Sequence, residues 1–308
     1  MSRMMRLAAV SYVPPTNDLK ALREVVLRVA KDKPDLIGFP EICACAAGGL
    51  PAGVKRAPPL TDFVEEVGKI AREVNAALVV PLLESHMGQV YNSVPVVDRH
   101  GKLAMVYRKN YPTTGEMEAG VAPGWEVPVA ECDGVRIGAA VCFDVNFPAV
   151  ALELERKRAR VVLWPSMFWG GALLQHWALR HGFYVVVAYG AESAIIDMNG
   201  RYLVKQGQET HQVRGGRLPP WCVADVNVDR EVYHLDFNQN KFAAIRDKHG
   251  PDVEIEVHQP EAIFLMASRK AGLSVEDVAK EFGLETLRDY LARSAKMREE
   301  RLRGHRER

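Results

Sequence analysis

No apolar run in this chain of 308 residues approaches the ~20 residues that a membrane-spanning helix requires. No membrane partner is therefore expected. Five cysteines are too few for a disulfide framework, which points to a reduced, cytoplasmic protein. Neither sign of charge is in excess: 40 Lys and Arg stand against 39 Asp and Glu, a formal net charge of +1. That balance gives no general attraction to nucleic acid. The common catalytic motifs are also missing: there is no G-x-G-x-x-G, Walker loop, H-E-x-x-H or G-x-S-x-G. The nine histidines do not cluster, and His176 and His181, five apart on a predicted helix, do not share a ligand face. The two thiols of Cys43 and Cys45 lack partners at zinc-ligand spacing and read as small buried residues. No metal or cofactor is expected. The N-terminal "MSRMMRLAAVSYVPP" has too short an apolar part, broken by Ser11 and a Pro pair, for a signal peptide, and it reads as a strand.

What is present is ordinary globular composition, 48% hydrophobic and 26% charged. The first half alternates between two periods. Apolar runs at 6–13, 35–41 and 76–85 predict strands, and the segments at 17–31 and 61–75 carry apolar residues at helical spacing. Such alternation predicts right-handed crossovers around a central sheet. Residues 93–109 and 193–206 each place two apolar runs around a polar, Gly-containing turn, the mark of a hairpin. Residues 135–142, 159–166, 183–190 and 221–228 predict further strands, with helices over 149–158 and 172–182. From about 266 the pattern becomes helical and charged. Ser274 with Asp277 forms a capping-box start, and the charged run at 296–308 closes the chain. The expected division is a catalytic domain over 1–265 and a helical C-terminal extension over 266–308 that serves as an interface. The two short helices of that extension faintly resemble a helix-turn-helix, a pattern more commonly used for packing between subunits.

Three polar residues share one context. Glu41 ends the run "GFPE", Lys109 ends "VYRK", and Cys142 ends "AAVC". In an α/β sheet the strand ends are where reacting groups gather. Taken singly, each has a plain alternative: a helix cap, a surface charge and a small buried residue. Taken together they suffice for amide hydrolysis without histidine, metal or cofactor. A thiol of ordinary pKa near 8.5 is mostly protonated at neutral pH. An adjacent ammonium favours the thiolate, and a carboxylate can take the proton during attack. The same ammonium, with the N–H of Phe143, can stabilise the oxyanion. The protonated carboxyl can then give its proton to departing ammonia, and the carboxylate can activate water against the thioester.

These segments, "GFPEICA", "YRKNYP" and "GAAVCFDVNFP" in this order and spacing, resemble the three signature segments of the nitrilase (carbon–nitrogen hydrolase) superfamily. The resemblance spans most of residues 5–230. It implies an α/β fold of four layers, α-β-β-α, with Glu41 as general base, Lys109 as electrostatic stabiliser and Cys142 as nucleophile. It also implies a second glutamate that positions lysine and substrate. "TTGEMEAGVAPG" offers Glu116 and Glu118; the spacing to Gly124 fits neither in the commonest form of the motif, and Glu116 is preferred because variants with "E-x-x-x-G-x-x-P-G" resemble this stretch. "CFDVNFP" in place of a Trp-Glu pair after the cysteine resembles the amidase and carbamoylase-like branches. The implied substrate is a small linear amide or N-carbamoyl compound rather than a nitrile. Phe168, Trp169 and Trp177 read either as one wall of an apolar substrate pocket or as core or interface aromatics. The resemblance implies a homodimer or higher homo-oligomer, paired through the helices at 149–158 and 172–182. A non-enzymatic binding or regulatory protein on the same scaffold, motivated by the tail, remains the alternative. Nitrile hydrolysis and service as the ammonia-producing partner of a synthetase are the others.

Overall fold

A computed structural model describes residues 3–12, 19–45, 48–207, 212–213, 216–217 and 219–306. Val13, residues 17–18 and residues 307–308, which belong to segments predicted above, lie outside that set. Two compact units emerge, Met5–Val226 and Asn227–Arg308 with Met1–Met4.

The larger unit holds two sheets. β1 (Met4–Val10), β2 (Leu36–Gly38) and β3 (Ala77–Val79) are parallel neighbours, joined through α1 (Leu19–Val29) and α3 (Leu60–Val74). α2 (Gly49–Lys55) lies between these helices in the chain. The run predicted as one strand over 76–85 is two. Pro81, which cannot donate to a ladder, separates β3 from β4 (Leu82–His86). β4 pairs antiparallel with β5 (Gln89–Val97), which also pairs with β3 and with β6 (Leu103–Arg108) in the expected hairpin.

The second sheet follows α4 (Thr114–Glu118). It contains β7 (Val129–Cys132), β8 (Val135–Ala139), β9 (Val161–Ser166), β10 (Tyr184–Tyr189), β11 (Glu192–Ile196) and β12 (Tyr202–Gly207), in the order β12-β11-β10-β9-β8-β7. β8, β9 and β10 run parallel, with α5 (Pro148–Arg156) and α6 (Ala172–His181) as their connections. A short ribbon of β13 (Gln212–Val213) and β14 (Gly216–Arg217) precedes β15 (Trp221–Asn227), which lies beside β1 at the edge of the first sheet.

Burial on both faces explains why the parallel strands read as continuous apolar runs rather than alternating ones. On one face of the first sheet, Ala8, Val10 and Ile37 pack against Leu22, Val25 and Val26 of α1 and Val67 and Ile70 of α3. On the other face the two sheets meet: a Cβ on Gly38 would lie 3.5 Å from Val186 and 3.7 Å from Leu163. Leu154 of α5 covers the far side of the second sheet, where it presses on Gly138. The result is the four-layer α-β-β-α order.

The smaller unit is built on an antiparallel sheet of β16 (Arg230–His234), β18 (Ile263–Ser268) and β17 (Val253–His258), in the order β16-β18-β17. α7 (Phe242–His249) and α8 (Val275–Phe282) supply Ile245, Val275 and Val278 to a core with Tyr233, Phe264 and Met266. Ser274 and Asp277 cap α8 reciprocally. α9 (Leu287–Arg306) follows, with most of its outer half exposed. The boundary expected at 265/266 therefore falls inside β18, and the units divide at Val226/Asn227 instead. The strands of the smaller unit carry the same apolar pattern as those of the larger one, so periodicity alone does not separate them.

Candidate active site

Glu41 follows β2 by three residues, and the chain turns at once. Ile42 has φ +45°, a left-handed conformation that a β-branched residue adopts only under constraint. Cys43 anchors the turn, with its thiol on the Pro81 carbonyl at 3.7 Å and its N–H on the Pro40 carbonyl at 3.3 Å. The turn leaves the Glu41 carboxylate buried.

Lys109 immediately follows β6. Its backbone is held from two sides: its N–H donates to the Asn92 carbonyl at 2.8 Å, and its carbonyl accepts from the Gly124 N–H at 2.8 Å. Gly124 tolerates no side chain, since a Cβ there would meet the Arg108 carbonyl oxygen at 2.3 Å. The Lys109 ammonium is fully enclosed. It donates to Glu41 Oε1 at 2.8 Å and to Glu116 Oε2 at 2.7 Å.

Glu116 reaches this position because α4 starts with a capping box. The Thr113 hydroxyl accepts the Glu116 N–H at 3.2 Å, and Glu116 Oε2 accepts the Thr113 N–H at 2.8 Å. Glu116 is buried, while Glu118, two residues on and so on the opposite face of the turn, is exposed. Asn92 of β5 completes the cluster: its Nδ2 donates to Glu41 Oε1 and to Glu116 Oε1, each at 2.8 Å.

Cys142 sits on the other sheet, three residues past β8, at the start of a 3-10 turn over Cys142–Asn146. Its φ is +47°. Asp144 ties this sharp turn to the end of β6. One oxygen, Oδ2, accepts from the Val141 N–H at 2.8 Å and the Tyr107 hydroxyl at 2.7 Å, while Oδ1 accepts from the Tyr111 N–H at 2.9 Å.

The electrostatics follow from this burial. Dehydration alone would lower the Lys109 pKa, but the charges of Glu41 and Glu116, and of a Cys142 thiolate where it forms, outweigh it and raise it. Burial would raise Glu116, and Lys109 with its hydrogen bonds brings it below the ordinary value. For Cys142, burial and then the Glu41 charge push the thiol up to about 11, and Lys109 opposes this without overcoming it. The expectation that the ammonium favours a thiolate thus meets a stronger opposing effect. The resting group is a thiol, and making a thiolate of it at neutral pH would need a base. Glu41 Oε2 is buried and accepts no hydrogen bond among the described residues.

The remaining predicted residues separate. Phe143 is 37% exposed, edge-on to Phe147 at 5.5 Å, and Phe147 stacks on Tyr111 at 3.8 Å. Phe168 and Trp169 are 36% and 44% exposed, and Trp169 meets Tyr189 edge-on at 4.9 Å. Met167, just before them, hydrogen-bonds the thiol through its backbone. Trp177 does not join this group, because it lies on the inward face of α6 with Leu174 and Ala178 and is buried. Sequence reasoning missed Asn92 and Asp144. Asn92 looks like any polar residue in a strand, and Asp144 like a turn former. A Thr-x-x-Glu at 113–116 was the visible signal for α4.

Among known proteins, a model of the carbon-nitrogen hydrolase family matches residues 6–231. A hydrolase of Mycobacterium tuberculosis is 29% identical over 253 residues, covering 71% of this chain and 87% of its own. A deaminated glutathione amidase of Dictyostelium discoideum is 24% identical over 220 residues, covering 61% and 75%. In structure, an amidase of Nesterenkonia from the nitrilase superfamily matches with a TM-score of 0.60 at 22% identity, covering 80% of this chain and 97% of that one. Nit3 of Saccharomyces cerevisiae, of the same superfamily, matches with a TM-score of 0.63 at 18% identity, covering 82% and 96%.

Proposed function

Because this chain belongs to the carbon–nitrogen hydrolase family, we propose that it hydrolyses a small linear amide, or an N-carbamoyl compound, through an acyl-enzyme on Cys142 with release of ammonia. The observation that carries this reading is Glu41 Oε2, the one carboxylate oxygen of the cluster that is free among the described residues, with Lys109 and Asn92 occupying the others. A thiol that burial and the Glu41 charge keep protonated needs such an acceptor.

In the first half-reaction the sulfur attacks the amide carbon as the thiol proton passes to Glu41. The carbonyl oxygen takes up charge and is met by the Lys109 ammonium, which has a third proton beyond its two carboxylate bonds, and by the Phe143 N–H. Glu41 then gives its proton to the leaving nitrogen, and ammonia departs from a thioester. In the second half, Glu41 takes a proton from water, the hydroxide adds to the thioester carbon, and the thiol leaves with that proton. Glu116 holds Lys109 in place throughout. Phe143, Phe168 and Trp169 form the apolar side that receives the acyl group. A related Nesterenkonia amidase has been solved in complex with butyramide, and the other amidase-named relatives also support an amide substrate.

The experiment is ammonia release from aliphatic amides, ω-amides, N-carbamoyl amino acids and nitriles, with Cys142→Ala as control. Release from an amide or carbamoyl class that vanishes in Cys142→Ala is expected, with a loss of at least about 10⁴-fold. Release from nitriles alone, or activity that survives in Cys142→Ala, contradicts the reading.

A further inference from the structure

Among the described residues, the carboxamide of Asn92 is the one neutral group that hydrogen-bonds both glutamates. We propose that Asn92 is a positioning residue that gives the two glutamates different roles, pinning both carboxylates so that Glu41 keeps one oxygen free to take a proton and Glu116 keeps none. The inference rests on the reading of Cys142 as nucleophile and Glu41 as base.

The hydrogen bonds carry the argument. Glu116 Oε1 accepts from Asn92, and Glu116 Oε2 accepts from Lys109 and the Thr113 N–H. Glu41 Oε1 accepts from Lys109 and Asn92, and Glu41 Oε2 accepts from nothing among the described residues. Lys109 touches both carboxylates, so the ammonium alone does not distinguish them. A carboxylate turns easily about its last torsion and can offer either oxygen to a cation. The second bond from Asn92 fixes that torsion on Glu41 and leaves Oε2 over.

The orientation of the amide is itself forced. Reversed, it would set its carbonyl oxygen against two anionic oxygens. As it stands, Asn92 Oδ1 is buried without a partner among the described residues. The fold carries that orphaned acceptor in exchange for two bonds to charged groups, which are the stronger kind. Asn92 is also well placed to set the cluster's geometry. It stands opposite Leu83 in the β4–β5 ladder, and its carbonyl receives the Lys109 N–H. The ionisable groups around the amide are Glu41 beyond β2, Lys109 beyond β6 and Glu116 on α4. Cys142, beyond β8, faces both Glu41 and Lys109, and Asp144 acts on this set through Lys109.

The test is the pH dependence of kcat/KM for amide hydrolysis, with kcat and KM measured separately, in Asn92→Asp, Asn92→Ala and Glu41→Gln, alongside thermal unfolding. Asn92→Asp is nearly isosteric but faces the glutamates with a third carboxylate. Its kcat is expected to fall about 10²-fold or more at pH 7, with KM changed only a few-fold. Its acid limb is expected to move to higher pH, because the site loses a donor and gains a like charge. Asn92→Ala should move the limb the same way by less. Asn92 variants that unfold earlier yet keep the wild-type limb would show a structural role only and overturn the proposal. The Glu41→Gln profile separates the two readings. If the acid limb vanishes in Glu41→Gln but stays put in both Asn92 variants, the proposal alone fails. If the limb persists unchanged in Glu41→Gln, Glu41 is not the base, and the proposal falls with that reading.

Discussion

The two sheets of the larger unit furnish the site by different physical means. The first sheet supplies Glu41, Asn92 and Lys109, which with Glu116 form a buried cluster of charges held by one another. The second sheet supplies Cys142 on a backbone in the left-handed region, held there by hydrogen bonds to Asp144. Such a conformation at a non-glycine residue costs on the order of 1–3 kcal/mol and persists only where its surroundings dictate it. One half is thus fixed by electrostatics and, on the proposed mechanism, handles the proton. The other half is fixed by backbone geometry and, on that mechanism, handles the bond to carbon. The comparison teaches that damage to one half should change rate, stability and pH dependence in a manner unlike damage to the other.

The largest effect is expected on the charged half. Lys109→Met removes the one cation that, among the described residues, pairs with the two buried carboxylates Glu41 and Glu116. Breaking a buried ion pair by deleting one partner costs about 3–5 kcal/mol. Urea unfolding should show that loss, and amide hydrolysis should fall by about 10³-fold or more as the oxyanion contact disappears. A variant of unchanged stability would mean that the glutamates have found protons or other partners, and that the cluster is held by something besides charge.

A smaller, differently shaped effect is expected on the strained half. Asp144→Asn keeps the size of the side chain but loses one acceptor for Val141, Tyr107 and Tyr111. Turnover should fall by about 10- to 100-fold, because a small misplacement of the nucleophile is felt strongly. The stability effect is pH-dependent. Burial pushes the Asp144 carboxyl up to about 6, against the hydrogen bonds that lower it. A carboxyl raised in the folded state binds its proton more tightly there than in the unfolded chain. Its contribution is therefore full below the unfolded value near 4 and is lost as pH rises to about 6. The stability of wild type relative to Asp144→Asn should decline by roughly 2–3 kcal/mol between pH 4 and pH 7. Parallel curves for the two proteins would show that Asp144 titrates normally and clamps the turn without strain from its own charge.

The same contrast governs what the sequence reveals. Glu41, Lys109 and Cys142 were legible because each breaks an apolar run at its end, and a charge or thiol at a strand end is conspicuous. Parallel strands buried on both faces are legible for a similar reason. Asn92 was not, because its role depends on a carboxamide meeting two carboxylates brought from other elements, and one strand cannot show that. Asp144 was hidden by its neighbours in "CFDVNFP", where an aspartate after a strand reads as a turn former. α2 and α4 are too short, at seven and five residues, to set up a helical period. Trp177 and Trp169 look alike in sequence, and only the register of α6 decides which is core. The division at Val226/Asn227 escaped notice because strands of both units share one apolar pattern.

The most direct measurement takes two rates from one variant, Glu41→Gln: alkylation of Cys142 by chloroacetamide, and ammonia release from the amide that wild type hydrolyses best. The Glu41 charge raises the thiol, so its removal should lower the Cys142 pKa from about 11. Alkylation at pH 10, where the thiolate forms without help from a base, should then be at least as fast as in wild type. Hydrolysis should fall by about 10²- to 10⁴-fold for want of a base. Opposite changes in the two rates are what separate nucleophile and proton-handling halves predict. If both rates fall together, Glu41 serves mainly to hold Cys142 in place, and if hydrolysis survives, the base lies elsewhere; either result contradicts the account.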